Sequence, residues 1–304
     1  MSTPPVTLGS VLDDLESKIG TTSYASDDVE DLRQSIDGEL TALVDAAGID
    51  PARFPVRVPK GRVTSVLACP AKALADLTSD IEPIHSLRGA VADVAAVVAA
   101  MSPRKPLDLL DVLEGVAAID PDNPGIAMWR QSDRAEKEAL RGVLEPLSAA
   151  VQATCSGVSL DWVVRPQFTS QAPFADERLL ATARYDMLLS QPGRPRSAVV
   201  VEVKAGGAHS DHRADAFLYA LLETLRSGYS PLAIITVSTG ETPVLVEQVT
   251  GGVLESASRR LIAASRVLID MVANPHVAPA EQPGPHCVVC PRKDTCPSAS
   301  IAVA

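Results

Sequence analysis

Ala198-Val-Val-Val-Glu-Val-Lys204 is a β-branched apolar run interrupted, at its end, by two charges two residues apart. A nearly continuous run of this kind suits a strand covered on both faces. A sheet covered on both faces is the centre of an α/β layer architecture. Alternation along the strand puts Glu202 and Lys204 on one face and Val203 on the other. Unpaired charges are costly in so apolar a setting, so this pair calls for partners.

Working outward, residues 162–170 and 179–190 read as two preceding strands, with Gln191-Pro-Gly-Arg-Pro as the turn into the central one. A hairpin of this kind brings Asp186 beside Glu202. Beyond the central strand, 213–227 reads as an amphipathic helix, 232–237 and 243–249 as strands, and 255–273 as a last helix. Toward the N-terminus, acid-rich helical spacing covers 10–19 and 27–47, and Pro51, Pro55 and Pro59 then break the chain. A helix capped by Ser65 is expected to run through Cys69 to Leu77, followed by an Ala/Val-rich helix over 84–101. A Pro- and Asp-rich insertion with one short helix covers about 103–131, and a long helix spans 132–154, capped by Ser132 or Asp133 with Glu136. The order predicts an α/β fold, with residues 1–60 as a helical N-terminal extension and 61–304 as the main domain.

The 304 residues are 46% hydrophobic but only 3% aromatic, so the core must be built from Ala, Val, Leu and Ile. The net charge of −11 does not suit a broad phosphate-gripping surface, which points to a local basic patch or to help from a partner. Arg184, Arg194, Arg196, Lys204 and Arg213, with His209 and His212, are the candidates for such a patch. The longest apolar runs, such as Val91 to Met101, are too short for a bilayer, and the first residues lack the basic start and apolar stretch of a secretion signal. The expectation is a cytoplasmic protein with no membrane association. Five cysteines in that setting argue against a disulfide framework.

Two constellations carry chemistry. Asp186 and Glu202 form a hard oxygen pair suited to Mg²⁺ or Mn²⁺. Lys204 beside them can orient water or stabilise the charge that develops in phosphodiester hydrolysis. A solvated Glu–Lys pair at a strand end is the plainer reading. The second constellation is Cys287, Cys290 and Cys296, spaced Cys-x2-Cys-x5-Cys, a metal or Fe–S half-site for which Cys69 is the best fourth ligand. Cys155 has no such context and reads as a buried free thiol.

Taken together, these features resemble the PD-(D/E)xK nuclease superfamily, in its RecB-type, AddB-like subgroup with a four-cysteine Fe–S cluster. The resemblance covers roughly residues 62–298. It rests on Asp186, on Glu202-Val-Lys204, on Tyr219 in the following helix, on Val63-Thr-Ser-Val-Leu-Ala-Cys69-Pro and on His286-Cys-Val-Val-Cys-Pro-Arg-Lys-Asp-Thr-Cys296-Pro. It implies a restriction-endonuclease-like core, a mixed central sheet flanked by helices, with an Fe–S clasp joining N- and C-terminal segments. It implies Mg²⁺ or Mn²⁺ on Asp186 and Glu202, catalytic assistance from Lys204 and Tyr219, and a [4Fe–4S] cluster, or alternatively zinc, on Cys69, Cys287, Cys290 and Cys296. The implied substrate is DNA, single-stranded or end-containing, in repair, recombination or phage defence, and the implied partner is a helicase or repair-complex protein. The chain departs from the pattern in two places. Asp215 stands where the family has Gln, and Arg88-Gly-Ala-Val-Ala-Asp93 aligns with the metal-binding His motif so that Ala92 takes the His position, with Asp93 beside it. His85, Glu136 and Glu145 are the candidates to replace that ligand. An active exonuclease and a weakened relative that binds DNA ends or a partner both stay open.

Overall fold

In a computed structural model, residues 6–19, 26–77, 83–102, 107–207, 210–240 and 243–299 are described. The chain begins with helices α1 (Leu8–Glu16) and α2 (Ser26–Ala47) and a short strand β1 (Val56–Pro59). Helices α3 (Lys60–Ala68) and α4 (Pro70–Asp76) follow. The single helix expected through Cys69 is thus two, because proline lacks the N–H for a helical bond and forces the residue before it out of helical geometry. Ser65 lies inside α3 rather than at a cap. Cys69 is extended, and its Sγ accepts the Lys72 N–H at 3.4 Å to start α4.

Helix α5 (Pro83–Met101) comes next, then α6 (Leu109–Ile119), α7 (Pro124–Gln131) and α8 (Arg134–Thr154). The expected insertion therefore holds two helices instead of one, and Leu109, Val112, Val116 and Ile126 seat them in the core. Asp133 caps α8, its carboxylate accepting the Glu136 N–H while Glu136 accepts that of Asp133. The window Ile84–Met101 is by length and composition apolar enough to cross a membrane, longer than the run Val91 to Met101 suggests. In the fold, the Leu87, Val91, Ala95 and Ala96 face of α5 is core.

Three strands follow: β2 (Val163–Phe174), which pairs with β3 alone, β3 (Leu179–Ser190) and β4 (Val199–Lys204). Helix α9 (Ser210–Ser227) crosses to β5 (Ala233–Ser238), then come β6 (Val244–Gln248) and α10 (Gly251–Ala273). The result is an α/β fold with one mixed six-stranded sheet in the order β1-β3-β4-β5-β6, β2 also pairing with β3. The alternation of the central strand sorts its side chains between two cores. Val200 joins α2, α3, α9 and α10, while Val199, Val201 and Val203 join α1 and α5–α8.

Strand β1 corrects the reading of residues 1–60 as an extension. It pairs in parallel with residues 179–182 of β3, and Ile36, Leu40, Val44, Val56 and Val58 belong to the same core as the sheet. Its proline-bracketed four residues carry too little periodicity to be recognised as a strand without the partner.

Strand β3 has a divided edge. Along one side β2 follows it from end to end. The other side is shared, with β1 on residues 179–182 and β4 on residues 187–189. The interval between these two ladders contains Asp186, and it is where the charged side chains gather.

Candidate active site

The β3–β4 ladder ends at Met187 opposite Val201. One step further, the Val203 N–H turns to a side chain and donates to Asp186 Oδ2 at 2.6 Å. This fixes the Asp186 carboxylate beside Glu202, as the hairpin reading required. Strand alternation puts Glu202 and Lys204 together, and the Lys204 ammonium donates to Glu202 Oε1. Glu202 is only 4% exposed.

Because β1 lies in the same interval, the chain turns into α3 there and delivers a second lysine. Lys60 Nζ stands 3.5 Å from Glu202 Oε1 and 3.4 Å from Asp215 Oδ2. It also lies 4.5 Å from the centre of the Tyr219 ring. Asp215 accepts from the Thr64 hydroxyl, which in turn accepts from Arg260 Nη2 at 2.9 Å. The acid found in place of Gln therefore anchors Lys60 and joins α3 to α9 and α10. Tyr219 is buried edge-on against Tyr185, their ring centres 5.1 Å apart, and its phenol favours the charged form of Glu202.

The third carboxylate is Asp93. Burial first, then the Glu202 charge, pushes Asp93 up to about 7, against the pull of Lys204 and Arg184. Asp186 is raised well above the ordinary carboxylate range by burial and then by Asp93 and Glu202. Burial acts the same way on Glu202, but Lys60 and Lys204 outweigh it and hold this carboxyl low. Lys204 is held above the usual lysine range because Glu202 outweighs the cost of its burial. The site is thus three carboxylates close enough to oppose one another's ionisation, stabilised by two lysines.

The other candidates for the missing ligand lie elsewhere. Glu136 serves the α8 cap, and Glu145 is exposed beside Arg141. His85 is exposed in the first turn of α5, about 12 Å along the helix from Asp93 at 1.5 Å per residue. Ala92 is buried in the core. The signal that could have found Asp93 is the one applied to Glu202, a charge that interrupts an apolar run.

Gln167 was also missed. It sits across from Asp186 in the β2–β3 register, at the one step of that stretch where the two strands form no ladder pair. Its backbone takes a left-handed φ of 47°, and its side chain hydrogen-bonds Asp93.

Among the described residues, no three His, Cys, Asp or Glu side chains already stand as a metal cage. The lysines and the Val203 N–H occupy carboxylate oxygens that a cation would compete for. The donor chemistry nevertheless fits a hard cation. Glu202 Oε2 and Gln167 Oε1 are buried and have no hydrogen-bond partner among the described residues. Buried oxygen acceptors in that condition are costly unless something positive serves them.

The basic residues do not form one patch. Arg184 and Lys204 act on the carboxylates. Arg213 pairs with Glu247 of β6. Arg194 and Arg196 flank the β3–β4 turn, at the opposite end of the sheet. His209, and the side chain of His212, lie outside the described residues.

The four thiols share a small cavity well away from β3's divided edge. Cys69, Cys287, Cys290 and Cys296 all line it, with His286 and Arg292. All are free thiols, and only Cys296 is more than slightly exposed. The Ala71 N–H donates to Ala280 O at 3.2 Å, tying α4 to the C-terminal segment. Glu281 accepts from Ser298 and Arg292 and braces the same loop. The thiols share the cavity without being arranged as a finished ligand set. Cys155 is apart from them at the end of α8, and burial pushes its thiol up to about 12.

No family model and no curated protein matches the chain. Among solved structures, the crystal structure of SSO0001 is similar over 78% of this chain and 97% of its own, at 10% identity and a TM-score of 0.30.

Proposed function

We propose that this chain is a divalent-metal-dependent nuclease with a PD-(D/E)xK, restriction-endonuclease-like core, acting on single-stranded or end-containing DNA. The observation that carries the reading is the convergence of Asp93, Asp186 and Glu202 with Lys204 at the divided edge of β3. Asp186, Glu202 and Asp93 would hold Mg²⁺ or Mn²⁺, with the unserved Glu202 Oε2 available to it. Asp93 stands where the resemblance expects a histidine one residue earlier. When bound, such an ion supplies Lewis-acid polarisation of a phosphodiester and a more acidic water. The protein's own part is electrostatic. Lys204 presents a fixed ammonium where phosphoryl charge would grow. Tyr219 and Lys60 keep Glu202 ionised, and the Val203 N–H fixes the Asp186 carboxylate.

The four thiols suit a [4Fe–4S] cluster, with zinc as the alternative. Either would clasp α4 to the C-terminal segment. The setting is DNA repair, recombination or phage defence, beside a helicase or repair-complex protein.

A second reading is favoured by the two lysines on Glu202 Oε1. They neutralise the site without a cation, as in a weakened relative that binds DNA ends or a partner. Mn²⁺-dependent degradation of end-labelled single-stranded DNA separates the two. Degradation by the wild type that is lost in Lys204→Ala supports the nuclease. Intact DNA with both proteins, and DNA still bound, overturns it in favour of the binder.

A further inference from the structure

The end of the sheet opposite the carboxylates carries a cleft of about 580 Å³ at the β3–β4 turn. From Lys204 back to Val199 along β4 is roughly 17 Å at the usual rise per residue, so the two sites are separate. Arg165, Arg194 and Arg226 line the cleft, with Ser190, Gln191 and Tyr229. The acid among its lining residues is Glu223.

Several features make this an anion site in waiting rather than a solvated turn. Aromatic faces position its guanidinium groups. Arg165 and Arg226 lie 6.0 and 4.9 Å from the centre of the Phe168 ring, and Arg196, just outside the cleft, lies 5.3 Å from that of Tyr229. Cation–π contact orients an arginine but does not cancel its charge. Arg226 is held in a two-point contact by the buried Glu223, at 2.9 and 2.6 Å. The carboxylate beside Arg194 is Glu16, at 3.4 Å in a pair about half exposed to solvent, while Arg165 has no carboxylate partner among the described residues. Gln191 adds an independent sign. Its Oε1 accepts from Arg194 Nη1 at 2.8 Å, which fixes the amide orientation. Its Nε2 is then a buried donor without a partner among the described residues. The cleft thus gathers donors and positive charge with too few acceptors.

We propose that this cleft binds a phosphate group, either a phosphodiester of a nucleic-acid strand or the phosphate of a free nucleotide. Bidentate guanidinium contacts suit phosphate oxygens. The proposal is independent of catalysis at the carboxylates, and the Lys204→Ala protein keeps the site.

The test uses the full-length chain without added divalent metal, and two probes: a fluorescent single-stranded oligonucleotide read by anisotropy, and deoxyadenosine monophosphate read by calorimetry. The variants are Arg165→Ala/Arg194→Ala and, as a milder second, Arg165→Gln, both at exposed positions. A loss of about tenfold or more in oligonucleotide affinity in the double variant, with a salt dependence shallower by about one per phosphate contact removed, supports the cleft as a strand site. Loss confined to the mononucleotide supports a free-nucleotide site. Unchanged affinity for both probes, in variants whose melting temperatures match the wild type, overturns the proposal.

Discussion

Lys60 and Glu202 lie 142 residues apart in the chain and meet at 3.5 Å. The contact exists because β1 and β4 divide one edge of β3, so the residue after β1 enters the carboxylate site. Lys60 is mostly buried against Glu202 and Asp215. Removing a cation from buried carboxylates leaves them uncompensated. Lys60→Ala is expected to lower stability by about 3 kcal/mol, read by urea denaturation. Adding Asp215→Asn should restore part of it, since the two share one contact. Additive losses would show that Lys60 does not work through Asp215.

Asp93 should matter to cation affinity and His85 should not. Mn²⁺ is expected to raise the melting temperature of the wild type and of His85→Ala alike, and to do so far less for Asp93→Asn. Equal Mn²⁺ responses in Asp93→Asn and the wild type would remove Asp93 from the site.

The raised acids give the metal-free protein a pH signature. Between the ordinary aspartate range and about 7, Asp93 binds more protons folded than unfolded. Stability therefore falls as pH rises through that window. Asp186 shifts in the same direction and adds to the slope. Glu202 works oppositely and lower, its contribution lost as pH falls through its depressed value. Denaturant midpoints of metal-free protein from about pH 4.5 to 7.5 should decline, and Asp93→Asn should flatten the decline. A rising midpoint would contradict the electrostatics of the site.

Cys69→Ser should abolish whatever the four thiols hold. The expected result is loss of the visible absorption of an Fe–S protein purified without oxygen, or loss of one bound zinc if the site is zinc. If cross-link entropy transfers to a metal clasp, closing so long a loop contributes about 5 kcal/mol, so the variant should also unfold at markedly lower urea. Cys155→Ser serves as the comparison and should leave the absorption or zinc content unchanged.

Much of this was legible in the sequence, and what escaped has a common cause. The strand pattern of residues 179–204, the α8 capping box and the thiol spacing are local signals, and the helices and strands they predict are present. The pairing of Asp186 with Glu202 follows from a hairpin and is nearly local. Lys60, β1 and Gln167 depend on which distant strand lies alongside, which no periodicity records. Asp93 is a different case, since its signal is local: it is a charge inside the apolar run 91–101 and therefore costly to bury without partners.

Helix α3 spans nine residues, from Lys60 to Ala68. Its first side chain rests on Glu202, and Cys69, directly after its last residue, enters the thiol cavity. A rod about 13 Å long therefore bridges the two centres. A chemical insult at the sulfurs, by oxidant or chelator, has a short mechanical route to the acids. If the thiols hold a group, protein stripped of it should report the damage at the carboxylates, so such preparations would be poor witnesses to the chemistry there.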